Sequence, residues 1–194
     1  MPDVKHFDPD QVLDTVVRLF WKQGLATTGI QDIVDVTGLN RSSLYSTFGG
    51  KQQLYMAALE RYTEERAPNL VRLAEDGRGL STIEEFFENL IATRCTGEFA
   101  GWGCMVSNAH AGAEHEQAEV RAVLDRQHQR LLDALRDALV VAKAKGQLGE
   151  TVDPGAAAEV LALLAHGVNI RSRAGADQER LRAGVRSALT AFTA

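Results

Sequence analysis

The chain has 194 residues, 45% of them hydrophobic, which is enough to build a core in one or two small domains. Its 21 basic and 26 acidic residues give a net charge of -5, whereas a general coater of nucleic acid is basic. No apolar run reaches transmembrane length and no secretory leader is visible, so we expect a soluble, cytoplasmic protein without a membrane partner. Cys95 and Cys104 form neither a disulfide framework nor a metal-ligand pattern, and we expect no metal or cofactor.

The first predicted helix lies before residue 24. Asp8 is placed to cap it, Pro9 falls at its first position, and Gly24 ends it. One face of this helix is apolar, and its residues are Val12, Leu13, Val16, Val17 and Phe20. We expect this helix to support the two that follow it.

The segment from Thr27 to Lys51 predicts two short helices joined by a glycine turn. Thr28 is expected to cap the first of these helices, with Gln31 closing a capping box. Gly38 supplies the left-handed residue that a sharp turn requires. The pattern is that of a helix-turn-helix, which enters the major groove of DNA.

The second helix of this pair has an exposed polar face. Asn40 is expected to cap it, and Leu44 and Phe48, four positions apart, form its buried stripe. Small or polar side chains are left outside: Arg41, Ser42, Ser43, Ser46 and Thr47. Such a face approaches base edges without steric conflict, and the alternative is an ordinary solvated helix face.

Residues 8 to 55 resemble the N-terminal domain of TetR/AcrR-type transcriptional regulators. The resemblance is carried by Phe20, Gly24, Thr27, Thr28, Ile33, Gly38, Leu39, Leu44, Tyr45, Phe48, Lys51 and Leu54. It implies an all-α fold with a three-helix, helix-turn-helix DNA-binding domain over residues 1–50 and a helical effector-binding and dimerisation domain over residues 51–194. It also implies DNA contacts from Thr27, Thr28, Arg41, Ser42, Ser43, Tyr45, Ser46, Thr47 and Lys51.

The predicted DNA-binding domain is lightly charged. Five basic residues in the first 55, Lys5, Arg18, Lys22, Arg41 and Lys51, stand against six acidic ones, Asp3, Asp8, Asp10, Asp14, Asp32 and Asp35. Arg41 and Lys51 must therefore face the DNA while the aspartates lie elsewhere. We expect a small, specific contact surface with weak non-specific binding.

Helical periodicity continues through the rest of the chain. We predict one long helix over residues 51–76, kinked at Pro68, and further helices over 82–95 and 116–145. Asp153 and Asp177 are placed to cap the last two helices. Few alternating β-branched runs occur, which argues against a sheet.

Aromatic and polar side chains of the C-terminal part are predicted to line a pocket for a small, largely apolar effector. The predicted lining is Phe86, Phe87, Leu90, Phe99, Trp102, Cys104, Met105, Asn108, Leu124, His128, His166 and Asn169. The segment from Gly103 to Asn108 also resembles a Gly-Cys-hydrophobic-x-Asn segment found in C-terminal domains of this family. The alternatives are that the aromatic residues form ordinary core and that the histidines are simply satisfied or exposed.

The last two helices carry much apolar surface for elements at a chain end. It can be covered by the chain's own core or by a second copy, and the family resemblance favours a two-fold homodimer. The predicted interface comprises Leu161, Leu164, Ala165, Val168, Leu181, Val185 and Leu189. Two-fold pairing places two recognition helices on a palindromic double-stranded operator, spaced by roughly 34–36 Å or a multiple.

These features predict a ligand-responsive DNA-binding transcriptional regulator, a repressor released from its operator by the effector. An alternative is a redox-responsive DNA-binding switch that uses Cys95 and Cys104. A third hypothesis is a helical ligand-binding protein or enzyme with a vestigial helix-turn-helix. Enzyme signatures are absent from the sequence, and His110 and His115, five apart, are off one helical face.

Overall fold

The computed structural model describes residues 7–193, and within them the chain is helical, without strands. The helices are α1 (Pro9–Gln23), α2 (Ile30–Thr37), α3 (Arg41–Phe48), α4 (Lys51–Glu64), α5 (Ala67–Glu75), α6 (Leu80–Cys95), α7 (Met105–Ala111), α8 (Ala118–Ala144), α9 (Pro154–Arg173) and α10 (Gln178–Ala191), with a short 3-10 helix at Ala113–Glu116. The predicted all-α class, with an N-terminal helix-turn-helix followed by a helical domain, is confirmed.

Four of the five predicted helix caps are present in the structure. The side chains of Asp8, Asn40, Asp153 and Asp177 accept hydrogen bonds from backbone N–H groups in the first turns of α1, α3, α9 and α10. These bonds satisfy donors that have no partner within the helix, which fixes where each helix begins.

The predicted cap of α2 is wrong by one residue. Gly29 is the N-cap, and its N–H donates to the Asp32 carboxylate over 2.7 Å, so Asp32 takes the place expected for Gln31. The Thr28 hydroxyl instead donates to the Gly24 carbonyl oxygen at 2.6 Å. Thr28 therefore belongs to the connection after α1, where its side chain is buried.

The predicted long helix over residues 51–76 is divided into α4 and α5. Pro68 falls in the first turn of α5 and has no N–H to donate to the carbonyl of Glu64, the last residue of α4. The break occurs where that hydrogen bond is lost, and α5 begins as a separate helix at Ala67.

Two apolar clusters form the core. The first joins α1 to α4, α7 and the start of α8, around Phe20, Trp21, Tyr55 and Leu124. The second lies among α5, α6, the later part of α8, α9 and α10. Helix α8, 27 residues long, spans about 40 Å and contributes to both clusters.

The first cluster packs α1 directly on α4, so the DNA-binding helices and the C-terminal helices share a core. The predicted domain boundary at residue 50 stays a prediction, and residues 1–6 of the first predicted domain lie outside the described residues. Among residues 7–193, every helix is too short or too polar to cross a bilayer.

Candidate nucleic-acid interface and central cavity

The turn between α2 and α3 holds α3 on the surface with its apolar edge inward. Gly38 has a φ of 69°, a left-handed value that favours glycine, and its N–H closes the end of α2 on the Val34 carbonyl. The Asn40 side chain accepts from the Ser43 N–H over 2.8 Å. Leu44 is fully buried and anchors α3 to the first cluster.

The exposed side of α3 carries most of the predicted DNA contacts. We use the name DNA-reading surface for the exposed residues Thr27, Arg41, Ser42, Tyr45 and Ser46. The Tyr45 side chain is 50% exposed, which is unusual for an aromatic residue without a partner to cover it. Ser43 and Thr47 are half-buried on the flanks of this surface.

The DNA-reading surface has one cation. Arg41 is the only basic residue of α2 and α3, and its guanidinium donates to the Gln31 side-chain oxygen at 3.2 Å. This bond orients Arg41 along the surface without neutralising its charge. Asp3 and Lys5, which entered the predicted charge balance, lie outside the described residues.

Two predicted DNA contacts have internal partners. The Thr28 side chain is buried, so in this conformation it does not reach a ligand outside the protein. The Lys51 ammonium donates to the carbonyl oxygens of Leu25 at 3.0 Å and Thr28 at 2.9 Å. Lys51 therefore fastens the α1–α2 connection to the start of α4.

Replacing Lys51 by methionine is expected to lower the free energy of unfolding by about 1–3 kcal/mol, because two charge-assisted hydrogen bonds to backbone oxygens are lost. Urea unfolding at pH 7.5 measures the change. Lys145→Met, at an exposed lysine beyond α8, is the matched control and should change stability little. Unchanged stability of Lys51→Met would show that Lys51 has no structural role.

A cavity of about 760 Å³, here called the central cavity, lies between α4, α5, α6, α8 and α9. Its volume is that of a small-molecule site. Six of the twelve predicted pocket residues line it: Phe86, Leu90, Cys104, His128, His166 and Asn169. Leu70, Leu73 and Leu131 add to its apolar wall.

The other six predicted pocket residues do not line the central cavity. Phe87, Met105 and Leu124 are buried in the two clusters, where their apolar side chains fill the core. Phe99 and Trp102 pack against Trp21 of α1, with ring centroids 5.0 Å and 5.3 Å from its ring. These predictions are corrected: Phe87 belongs to the core, and Phe99 and Trp102 belong to the junction with α1.

Asn108 also belongs to that junction and not to the cavity. Its amide donates to the Trp102 carbonyl at 2.9 Å and reaches the Trp21 carbonyl at 3.4 Å. Arg173 of α9 donates to the same Trp102 carbonyl at 2.9 Å. The junction thus ties the end of α1 to the loop before α7 and to the end of α9.

Arg94 and Tyr62 lie at the inner end of the cavity, and neither was predicted to line it. Arg94 is only 6% exposed, and its Nε donates to the Asn169 side-chain oxygen at 2.8 Å. Its Nη2 donates to the Tyr62 hydroxyl oxygen at 3.3 Å. Burial raises the pKa of Tyr62, so its hydroxyl remains protonated at neutral pH.

The outer end of the cavity is lined by ion pairs. Arg78 pairs with Asp76 and with Glu85, and Arg72 lies 3.7 Å from Glu85. Hydrogen bonds from Arg78 and from the Thr82 hydroxyl hold the pKa of Asp76 well below its usual range. This end of the cavity is polar and its charges are mutually compensated.

A histidine cluster forms one wall between α7, α8 and α9. His166 contacts the Ser107 hydroxyl at 3.1 Å and the His128 ring nitrogen at 3.3 Å, and the His110 ring centroid is 5.5 Å away. Burial, followed by the neighbouring His110 and His128, lowers the pKa of His166 from 6.5 to about 4. The folded protein therefore keeps His166 neutral at pH 7.

This cluster predicts acid sensitivity. Because the folded pKa is depressed, the unfolded chain binds more protons between pH 6.5 and pH 4, and stability falls as the pH falls through that window. We expect the free energy of unfolding to drop by about 1–2 kcal/mol between pH 7.5 and pH 5.0 from this group. Urea unfolding at both pH values should show a flatter dependence in His166→Asn. The exposed His115→Asn is the control, and equal pH dependence in all three proteins would contradict the assignment.

The two cysteines occupy different surroundings. Burial raises the pKa of Cys104, but Arg94, the Tyr62 hydroxyl and the backbone N–H groups of Ser107 and Val106 outweigh it, so the pKa is lowered overall. Burial raises the pKa of Cys95. Both are free thiols, and Cys104 alone of the two lines the central cavity.

The predicted dimer-interface side chains belong to the chain's own core. Helices α9 and α10 turn these residues inward, against α6 and α8. Leu161, Ala165, Val168, Val185 and Leu189 are buried in the second cluster, and Leu164 and Leu181 pack against its edge. For the five buried residues the prediction is corrected, because the chain itself covers their side chains; Leu164 and Leu181, which are partly exposed, stay predicted interface residues.

The opposite face of α9 is apolar and exposed. Val160, Leu163 and Ile170 recur along it at helical spacing, and Leu163 is 67% exposed. We use the name exposed α9 face for these three residues together with Gly167, which lies on the same side. Three exposed apolar residues on one helix face form a candidate interaction surface.

Two family models match the chain. The model described as bacterial regulatory proteins of the tetR family matches residues 12–58, and the one described as the tetracyclin repressor-like C-terminal domain matches residues 79–188. The chain belongs to the TetR family, and it is a DNA-binding transcriptional regulator, not an enzyme. The predicted family is confirmed.

Named relatives cover nearly the whole chain. The transcriptional repressor ComR of Escherichia coli (strain K12) is 28% identical over 179 residues, which is 91% of this chain and 85% of ComR. The uncharacterised regulator YezE of Bacillus subtilis (strain 168) is 29% identical over 180 residues, 92% of each chain.

Solved structures show the same fold. A cysteine-substituted variant of the TetR-family regulator CifR, bound to a 26-base-pair double-stranded operator, has a TM-score of 0.84 at 23% identity, covering 98% of this chain and 99% of CifR. A TetR-family regulator from Agrobacterium tumefaciens has a TM-score of 0.79 at 22% identity, covering 95% and 97%.

Proposed function

We propose that this regulator is a homodimeric repressor that binds a palindromic operator and is released by a small, largely apolar effector in the central cavity. The observation that carries the proposal is the DNA-reading surface, an exposed polar face held on a helix-turn-helix. ComR is a repressor and the CifR variant is bound to operator DNA, which supports the same role for this chain. The proposed site of action is the cytoplasm, where bacterial operators lie.

Dimerisation is proposed through the exposed α9 face. One recognition helix with a single arginine gives weak affinity, and a two-fold pair makes the second contact intramolecular. Gly167 on this face lets a second helix approach closely, while Val160, Leu163 and Ile170 supply apolar area. Ala183, Gly184 and Ser187 on the exposed side of α10 provide a small-residue surface beside it.

The proposed route from effector to DNA runs through Tyr62. Arg94 in the cavity bonds the Tyr62 hydroxyl, and the Tyr62 ring packs edge-on against Trp21 of α1, with centroids 5.2 Å apart. The Trp21 indole N–H donates to the Gly103 carbonyl at 3.0 Å, so α1 is held from both sides. An effector that displaces this contact tilts α1 and the recognition helix that it supports.

Release requires differential affinity and not merely tight binding. An effector that prefers the DNA-incompetent conformation by about 10⁴-fold, or ~5.5 kcal/mol, moves a 1:99 population to 99:1. A ligand with equal affinity for both conformations leaves the operator occupied, however tightly it binds.

Selection from a random double-stranded DNA library tests the proposed specificity. The expected result is enrichment of a palindrome whose half-sites are separated by about one helical turn or a multiple of it. Enrichment of single half-sites would contradict the dimer, and no enrichment by the folded protein would contradict sequence-specific binding.

A second candidate function is redox control through Cys104. The observation in its favour is a thiol of lowered pKa that lines the central cavity beside Arg94. Peroxide oxidises such a thiolate to a sulfenic acid and releases hydroxide, and the added polar oxygen disturbs the Tyr62 contact.

The two candidate functions make different predictions under peroxide. Redox control predicts loss of operator binding that Cys104→Ser abolishes and Cys95→Ser preserves, because burial raises the pKa of Cys95. Equal responses of the two variants would exclude Cys104 as the sensor and leave effector release as the proposed mode.

A further inference from the structure

Arg94 is a buried charge without a carboxylate partner. Its side chain lines the central cavity, and its two hydrogen-bond partners, the Asn169 amide oxygen and the Tyr62 hydroxyl, are both neutral. Within residues 7–193 no carboxylate forms an ion pair with it, and its Nη1 donates no hydrogen bond. Buried charges in proteins are normally paired, so the Arg94 guanidinium lacks the negatively charged partner that a buried cation usually has.

The other arginines of the cavity are compensated. Arg66 lies 3.4 Å from the Glu65 carboxylate, Arg72 lies 3.7 Å from that of Glu85, and Arg78 pairs with Glu85 and with Asp76. Four arginines and three carboxylates line the cavity, which leaves one positive charge in excess. The excess lies at the most buried of the four arginines, in a chain whose net charge is -5.

The guanidinium is held in place before any ligand arrives. The Asn169 amide that accepts from Arg94 is itself fixed, since its NH₂ group donates to the Ala165 carbonyl at 2.9 Å. The Arg94 guanidinium carbon also lies 5.5 Å from the Trp21 ring centroid, a cation–π contact that orients its plane. A planar fork fixed in this way matches a carboxylate, which accepts two parallel N–H groups.

Resting on the effector cavity of the proposed function, we propose that the effector is an amphiphilic organic carboxylate whose anionic head binds Arg94. Its apolar body lies along Leu70, Leu73, Phe86 and Leu90, toward the outer end of the cavity. The single excess charge selects a monoanion, and the 760 Å³ volume accommodates a medium-chain or aryl-alkyl acid.

The carboxylate bound to Arg94 also lies on the proposed route from the effector to the DNA. A carboxylate on Arg94 competes with the Tyr62 hydroxyl for the same guanidinium, and Tyr62 packs against Trp21 of α1. Neutralising Arg94 therefore loosens the contact through which α1 is supported.

Matched pairs of probes test the inference by calorimetry. Decanoate is compared with decanol, and 4-phenylbutyrate with 4-phenylbutanol, below their aggregation concentrations. Each acid is expected to bind about 10-fold or more tightly than its alcohol, in line with a hydrogen bond to a charged group. Arg94→Gln should remove that preference and leave the affinity for the alcohol unchanged, and Arg94→Lys should retain part of it.

The control variant is Arg136→Gln, at an arginine of α8 that lies outside the cavity lining and pairs with Asp133 at 3.0 Å, and it should bind the acids as the wild type does. Cys104→Ser tests whether the neighbouring Cys104 side chain supplies the negative charge that Arg94 lacks, and it should keep the preference for the acid. The wild-type comparison of acid with alcohol stands even if Arg94→Gln does not fold.

Equal or tighter binding of the alcohols, no binding of either kind of probe, or an acid preference that survives in Arg94→Gln would overturn the inference. Operator titrations without probe are run in parallel. A protein that binds its operator and is released only by neutral ligands keeps the proposed function and loses this inference.

Discussion

Leu163→Glu is expected to convert the regulator into a monomer and to weaken operator binding by roughly 100-fold or more, the advantage that two linked contacts have over one. Leu163 is the most exposed residue of the exposed α9 face, at 67%. A two-fold axis at this face brings two introduced carboxylates together, where they repel and lose hydration. Sedimentation velocity measures the oligomeric state and fluorescence anisotropy measures the affinity.

The matched control is Val71→Glu, which places the same charge on another exposed apolar residue, in α5. It should remain dimeric and bind the operator normally. Circular dichroism confirms that both variants are folded. A Leu163→Glu protein that stays dimeric would move the interface to another surface.

Arg41→Ala is expected to weaken operator binding by roughly 30-fold or more, since a contact of about 1–3 kcal/mol is lost at each of two half-sites. Arg41 is the only cation of α2 and α3, so no neighbour on either helix substitutes for it. The measurement is an anisotropy titration on the operator and on operators altered at single base pairs.

The pattern across those altered operators identifies the role of Arg41. Relaxed specificity at one position indicates a base contact, whereas uniform weakening with a shallower salt dependence indicates a phosphate contact. Arg126→Ala removes an exposed arginine of α8 and should bind as the wild type does. Unchanged affinity of Arg41→Ala would remove α3 from the proposed interface.

The DNA-reading surface carries little positive charge, and this should determine how the affinity for DNA depends on salt concentration. Lys51 donates to two backbone carbonyls, and Arg18 pairs with Glu98 at 3.3 Å, so Arg41 is the main cation free to meet a phosphate or base near α3. Few neutralised phosphates release few counterions, and the affinity should fall modestly with salt.

The helix-turn-helix could be predicted closely because its signals are local. Asn40 and Gly38 act through the backbone of their own turn, and Leu44 and Phe48 mark the buried edge by spacing alone. Pro68 also indicates an interruption of the helix, but whether the helix bends or ends there depends on how α5 packs against α8.

The spacing of apolar residues along α9 does not predict which face of the helix packs against the core. This helix is apolar on both sides, with Leu161 and Ala165 on one and Val160 and Leu163 on the other. A helix that is apolar all round gives no internal signal of which face meets the chain's own core. The structure assigns the inward face, and the dimer surface is proposed on the remaining one.

Arg94 and Tyr62 could not be predicted as cavity residues for a related reason. Arg94 lies in the last turn of α6, where a basic residue usually faces solvent and interacts with the helix end. Its burial depends on Tyr62 and Asn169, which come from α4 and α9 and are distant in sequence. The aromatic residues Phe99 and Trp102 were assigned to a pocket because their partner Trp21 lies far away in the chain.

The most direct test of the central claim is an anisotropy titration of the purified protein on the palindrome selected from the random library, at moderate salt, against a scrambled duplex of equal length. We predict saturable binding to the palindrome with one dimer per site, and at least 10³-fold weaker binding to the scrambled duplex, the usual lower limit for specific recognition. Equal affinity for both duplexes, with a folded dimer in hand, would contradict the account.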